Sequence, residues 1–188
     1  TKLMPFWTSA LSEPKRQHRF ILRLPNLISE DQEHTYQEYL AKTFTKPSFT
    51  VSSTEHKFLG NTYYYPGSVL WNDCAASIVN SLSPDGNKII YDALTKSGYL
   101  KPDDQLDALI EGNVGTVNKA SALAALGQVE VDELTGTGDI AGTWKLQNAF
   151  ILDAKFGDLD YAGDDLLNID LTFKYDWATY ESFTVVTD

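Results

Sequence analysis

The chain carries one cysteine, Cys74, in 188 residues. No internal disulfide can form, and zinc sites built on two or four cysteines are excluded. Such cysteine usage fits a reducing compartment. Histidine is nearly as scarce: His18, His34 and His56 all fall in the N-terminal third, and none stands in a helix-borne metal motif. No apolar run reaches the roughly 20 residues of a membrane span. The opening stretch TKLMPFWTSALSEPKRQHRF lacks the apolar core and small-residue cleavage site of a signal peptide. The expectation is a chain that works where it is made or leaves by a non-secretory route.

Arginine is missing from the whole of residues 127–188, where 13 acids face 3 lysines, a net of −10. Residues 1–126 hold 13 acids and 12 Lys or Arg, a net of −1. A surface this acidic repels nucleic acid, so a DNA-binding role is disfavoured. What the chain does have is 43% hydrophobic and 12% aromatic residues. That is the composition of a globular domain, long enough to bury a sizeable core. We expect one domain over 1–188, with residues 1–17 as an N-terminal arm.

Strand signals dominate. QHRFILRLPNL predicts a first strand closed by Pro25-Asn26, and SEDQEHTYQEYLA (29–41) an exposed loop or short helix. Pro47 breaks KTFTKPSFTVSS, which puts the bend at an edge or bulge. HKFLGNTYYYP reads as a strand ended by a Pro66-Gly67 turn, and SVLWNDCAASIVN as one long strand. Ser83 as cap, Pro84 in the first turn and Gly98 as stop frame a helix with the stripe Ile89, Ile90, Ala93 and Leu94. A second short helix is expected at Asp103–Gly112, and a loop or weak helix over 113–126, so 83–126 forms a helical insertion between strands. Strand patterns return with GQVEVDEL. TWKLQNAFILDAKFG places Trp144, Leu146, Phe150 and Leu152 on one face. TGTGDIAG and DLDYAGDD read as turns. In LLNIDLTFKYDWATYE the positions Leu167, Ile169, Leu171, Phe173, Tyr175 and Trp177 alternate with polar ones, predicting one long strand with a polar back. Strands, one or two short helices, then strands, without βαβ alternation, make a mainly β fold: an antiparallel β-sandwich or barrel.

The chemistry-bearing patterns are thin. Asp158, Asp160, Asp164 and Asp165 crowd one turn, but lack the spacing and distal Glu of a calcium loop. TGTGDIAG has no lysine and the wrong glycine spacing for a nucleotide loop. Tyr63–Tyr65 offer stacking faces, yet on a strand the outer two share one face and the middle one takes the other, so core plus interface is the default reading. Cys74 in an apolar strand reads as buried and inert. No residue set selects a catalytic centre, a metal or a cofactor, and the expectation is no enzyme. Long amphipathic strands, aromatic faces and one-sided acidity suit a protein that assembles.

Residues 18–181 resemble the tail-tube proteins of contractile bacteriophages, which share their fold with pyocin tubes and the type VI secretion tube. The resemblance is carried by QHRFILRLPNL, by NTYYYPGSVLWNDCAASIVNS leading into the DGNKIIYDALTKSG helix, and most specifically by the C-terminal third, GQVEVDEL through WKLQNAFILDAKFGDLDYAGDDLLNIDLTFKYDWATYE. Residues 99–126 are a longer connection than compact members have, and the Tyr63–Tyr65 run is heavier. The resemblance implies a tail-tube β-sandwich or barrel that forms hexameric rings, stacks into a tube inside a virion tail, and is assembled in the host cytoplasm. It implies partners: other copies of the chain, the sheath, a tape measure protein, baseplate and tail terminator proteins, and DNA that passes without specific binding. A ring of Lys or Arg would hold DNA through released counterions, whereas an acidic, polar wall would let it slide. One small barrel is filled by its own side chains, so such a channel needs several subunits.

On that reading Asp170, Asp176, Asp153, Glu130 and Asp132 are candidate lumen or surface acids. Candidate core or interface aromatics are Tyr63, Tyr64, Tyr65, Trp71 and Trp144, with Phe150, Phe173, Tyr175 and Trp177 in the last strands. Of the same fold, a tube-initiating baseplate protein or a secretion-system tube is the alternative, the initiators usually carrying an extra domain. More distant alternatives are a glycan- or peptide-binding β-sandwich using the tyrosine run and a small hydrolase using two of the crowded aspartates.

Overall fold

The structure, a computed structural model, describes residues 14–27, 40–83, 85–105 and 115–183. His34, Pro84, the first 13 residues of the expected arm, most of 29–41 and the C-terminal part of the expected 103–112 helix lie outside them. Among the described residues ten strands are formed: β1 Phe20–Arg23, β2 Ala41–Phe44, β3 Phe49–Phe58, β4 Asn61–Trp71, β5 Cys74–Val79, β6 Val129–Leu134, β7 Ile140–Gln147, β8 Phe150–Lys155, β9 Asn168–Lys174 and β10 Trp177–Ser182. Between β5 and β6 lie α1 Gly86–Lys96 and α2 Lys119–Leu126, and the described residues 102–105 are helical as well.

Eight strands make two antiparallel four-stranded sheets, ordered β1-β6-β7-β10 and β2-β5-β9-β8, while β3 and β4 form a separate hairpin. The core draws Leu22, Val131 and Leu146 from the first sheet and Cys74, Ile78, Ile169, Leu171 and Phe173 from the second. The fold is thus the mainly β sandwich expected. The alternation of β9 holds: Ile169, Leu171, Phe173 and Tyr175 are buried.

Three expected long strands are each two strands. The chain leaves β4 at Trp71 and re-enters as β5 at Cys74; it leaves β7 at Gln147 and re-enters the other sheet as β8; it leaves β9 at Lys174 and re-enters the first sheet as β10. Asn148, at φ +54°, makes the second break. At the third break, Asp176 donates its N–H to the Gln147 carbonyl, and its carboxylate accepts from Asn148 Nδ2 at 2.7 Å. Two sheet crossings are therefore stitched to each other. The crossing also resets the pleat, so Ala178 is buried and Trp177 is exposed. Leu152, beyond the Asn148 break, is likewise exposed rather than on the Trp144–Leu146 face.

The expected Pro66-Gly67 turn is a bulge. β4 runs through it, and the register slips where Val51 pairs Val69 but Ser53 pairs Pro66. An extra residue on β4 at this point is where a sheet tolerates proline. A Cβ on Gly67 would lie 2.3 Å from Ser52 Oγ, so the strands meet closely there. The turn itself is Leu59-Gly60, both at positive φ (+47° and +80°), the signature of a tight two-residue hairpin.

Helix α1 is capped by Asp85, whose carboxylate accepts from Asn87 N, rather than by Ser83. It stops at Gly98 as expected: φ is +106°, and a Cβ there would strike the Thr116 carbonyl at 2.7 Å. Ile89, Ile90 and Ala93 are buried, but Leu94 is exposed. The ambiguous 113–126 stretch holds α2, capped by Asn118 on Ser121 N.

Candidate functional site

The surfaces available to a partner are a hairpin, two sheet backs and four sheet edges. The hairpin is the most conspicuous. All residues of β3 and all but the last of β4 are exposed. Phe49, Val51, Phe58, Leu59, Val69 and Leu70 stand in solvent beside Tyr63, Tyr64 and Tyr65. The tyrosines alternate across the ribbon as expected, opposite His56, Glu55 and Thr54, yet neither face is core. Among the described residues the ribbon is fixed at its base, where Trp71 packs edge-on to Phe49 at 5.5 Å and against Tyr175 at 6.1 Å. A lone two-stranded hairpin is marginal in water, and apolar exposure on this scale marks a contact surface.

The back of the β2-β5-β9-β8 sheet is small and polar. One row reads Thr43, Ser77, Asp170, Lys155 and the next Ala75, Thr172, Asp153. Asp153 and Asp170 are exposed, with Lys155 3.8 Å from Asp153, and Lys174 bonds Asp73 at 2.6 Å. Lys155 and Lys174 pair with two of the three acids Asp73, Asp153 and Asp170, so this wall is polar rather than strongly acidic. Asp176 lies off this face, at the sheet crossing. Lys119 of α2, at 2.6 Å, and Asn148 hold its carboxyl below the usual carboxylate range.

The back of the β1-β6-β7-β10 sheet is laced with charge. Lys145 lies 3.1 Å from Glu181 and 4.0 Å from half-buried Glu130. Asp132 is not a surface acid: it is 1% exposed, roofed by Arg23 at 2.9 Å and accepting from Thr143 Oγ1 at 2.5 Å. Its neighbour Glu133, which the sequence reading did not single out, is also buried and binds both Lys15 and Lys46, with Tyr180 Oη 3.3 Å away. The only sequence signal was an acid on the inward parity of Val129 and Val131.

The remaining aromatics divide. Phe173 and Tyr175 are core, Trp71, Trp144 and Phe150 are half-buried, and Trp177 is exposed. Trp144 packs on Tyr180 at 4.8 Å. Cys74 is buried, its thiol 3.6 Å from Tyr175 Oη, and burial pushes its pKa up, away from the reactive thiolate. His18 and His56 are exposed. Among the described residues no three His, Cys, Asp or Glu side chains converge as metal ligands, and no helix is long and apolar enough to cross a membrane. Between α1, α2 and β8 runs an apolar groove of about 510 Å³ lined by Leu94, Leu126, Phe150 and Leu152.

No protein-family model matches the chain, and no curated protein sequence does. Solved structures do. A chain of an extracellular contractile injection system, the PVC sheath–tube complex in its extended state, superposes with a TM-score of 0.61 at 15% identity, over 96% of this chain and 99% of its own. A chain of the anti-feeding prophage cap, its tube-terminating cap, gives 0.59 at 15% identity, over 91% and 93%. A chain of the PVC sheath/tube terminator gives 0.57 at 13%, over 90% and 98%. The chain has the tail-tube fold. The superposition runs nearly end to end on both chains. Identity this low speaks to fold alone.

Proposed function

We propose that the protein is the structural subunit of the inner tube of a contractile tail or injection particle, and not an enzyme. The observation that carries the reading is the β3–β4 hairpin. It exposes large apolar and aromatic side chains on both faces, and of its residues only Trp71, at the base, packs against the core. A ribbon with apolar side chains exposed on both faces is suited to contact with another chain. The tail-tube fold and its likeness to chains of sheath–tube, terminator and cap assemblies support the same reading.

On this reading copies close into hexameric rings and the rings stack, with sheath, baseplate and terminator proteins as partners. The finer version is a phage virion with DNA moving along the lumen past a tape measure protein. The back of the β2-β5-β9-β8 sheet, whose two lysines are each paired with an acid, suits a wall of low affinity, because an unmatched basic ring would retain a polyanion. Asp170 and Asp153 are the wall acids of that version; Asp132 is excluded by burial and Asp176 is held by Lys119.

Negative-stain electron microscopy of the purified protein over a rising concentration series tests the assignment. Rings with a central channel, and stacks of them, are expected. A monodisperse monomer at the highest concentration sinks it.

A further inference from the structure

The acidity of the C-terminal third is not spread evenly. Four of its acids, Asp158, Asp160, Asp164 and Asp165, sit in the exposed connection between β8 and β9, with no Lys or Arg from 156 to 173. The connection is a shaped turn: Asp160 accepts from Ala162 N through its side chain and from Gly163 N through its carbonyl, and Gly157 takes φ +78°. It also holds three apolar side chains almost wholly in water: Leu159 88%, Tyr161 110% and Leu166 71% exposed. An anionic turn with apolar anchors that its own body leaves uncovered is built to fit something else.

The same chain carries a complementary recess. Where the edges β1 and β2 of the two sheets come together lies a cleft of about 570 Å³. Among the described residues Lys15, Arg16, Arg19, Lys42 and Lys46 line it with the acid Glu133, over an apolar floor that includes Phe20 and Phe44. Glu133 takes Lys15 and Lys46, which leaves Arg16 and Lys42 as the cleft's basic side chains toward a partner. Arg16 and Lys42 are exposed at its mouth.

The cleft lies on the β2 edge and the acidic turn follows the β8 edge, and these are the opposite edges of one sheet. We infer that the β2-edge cleft receives the 157–166 turn of a second copy of this chain, charge on charge and Leu159, Tyr161 or Leu166 on the apolar floor. Two different patches at opposite edges make a head-to-tail contact, the kind that closes into rings when its rotation permits. The inference rests on the tube reading and deepens it by assigning the lateral contact.

Two variants test it: Arg16→Glu with Lys42→Glu in the cleft, and Asp164→Lys with Asp165→Lys in the turn. These four side chains leave the Glu133 cluster and the Asp160 turn bonds intact. Sedimentation velocity follows ring formation. Each variant alone is expected to need at least about tenfold more protein to form rings, roughly 1.4 kcal/mol per contact. An equimolar mixture is expected to recover assembly, because each reversed cleft then meets a reversed turn. Recovery also requires both variants to be folded. If the wild type forms rings and both variants form them equally well, the docking assignment falls and the tube reading stands. The assignment also falls if the mixture fails to recover. A wild type that stays monomeric overturns both. Salt-sensitive binding of a duplex oligonucleotide by the wild type, lost in the cleft variant while that variant still forms rings, makes the cleft a polyanion site and overturns the docking assignment.

Discussion

Glu133 is an acid on an inward-facing position of a strand, which is costly unless paired. Burial pushes its carboxyl pKa up; the hydrogen bonds from Lys15 and Lys46 outweigh that and leave it below the usual carboxylate value. Lys15 is raised in turn, first by Glu133 and then by Tyr180. A folded pKa below the unfolded value of about 4.3 gives stability that is complete above that value and lost as pH falls through the folded one. Glu133→Gln should therefore cost about 1–2 kcal/mol near neutral pH, a modest figure because both lysines are more than half exposed. Its deficit against the wild type should shrink below about pH 4. Urea denaturation from pH 3 to 7 reads this, and a deficit that ignores pH would show that the lysines do not hold the carboxylate. Alternation in VEVDEL revealed which residues share a face. It could not reveal that Asp132, on the polar parity, is roofed by Arg23, because that depends on a strand 100 residues away in sequence, about as non-local as contacts in a small domain become.

At the scale of elements, the sequence and the structure part company at corners. Side chains alternate with period two before and after a sheet crossing, so a strand that changes sheets looks like one long strand. Only local signals mark the breaks: Asn148 at positive φ, the Asn72-Asp73 pair, and Asp176 bonded to Asn148. The hairpin was obscured by Pro66-Gly67, a dipeptide equally at home in a turn and in a bulge, while the real turn at Leu59-Gly60 has a leucine where Asn or Asp is usual. Helix α1 was legible from its apolar stripe and its Gly98 stop, though its cap is Asp85 and not Ser83, while α2, short and rich in small residues, left no clear period to read. The hairpin also yields an element-scale prediction. Chymotrypsin should cut the free protein first within Tyr63–Tyr65, leaving the sandwich intact, and assembled protein should resist. Trp71→Ala, which removes the base contacts to Phe49 and Tyr175, should speed that cut and cost about 2–3 kcal/mol, less than a fully buried aromatic would. Mass spectrometry of a digestion time course decides it, and first cuts elsewhere would mean the ribbon is covered.

For the whole molecule the question is whether folding and assembly are separable. The core cluster draws on β1, β5, β6, β7, β9 and β10, with α1 and α2, and takes no buried residue from 49–70. Replacing 50–70 by a short Gly-Ser link should therefore leave a folded body, with a thermal midpoint within a few degrees of the parent and the same β-sheet circular dichroism. It should not form tubes. Phe173→Ala is the opposite case: Phe173 is wholly buried at the centre of β9, and the cavity should cost about 3–5 kcal/mol, enough to threaten a domain whose total stability is of that order. The two variants pull apart the explanations for lost tubes, one being folded without assembly and the other unfolded. If the hairpin deletion unfolds as Phe173→Ala does, the hairpin belongs to the folding unit and its exposed aromatics no longer argue for a partner. If the deletion stays folded and still forms tubes, ring stacking runs through another surface, and the apolar groove between α1, α2 and β8 is the next to mutate.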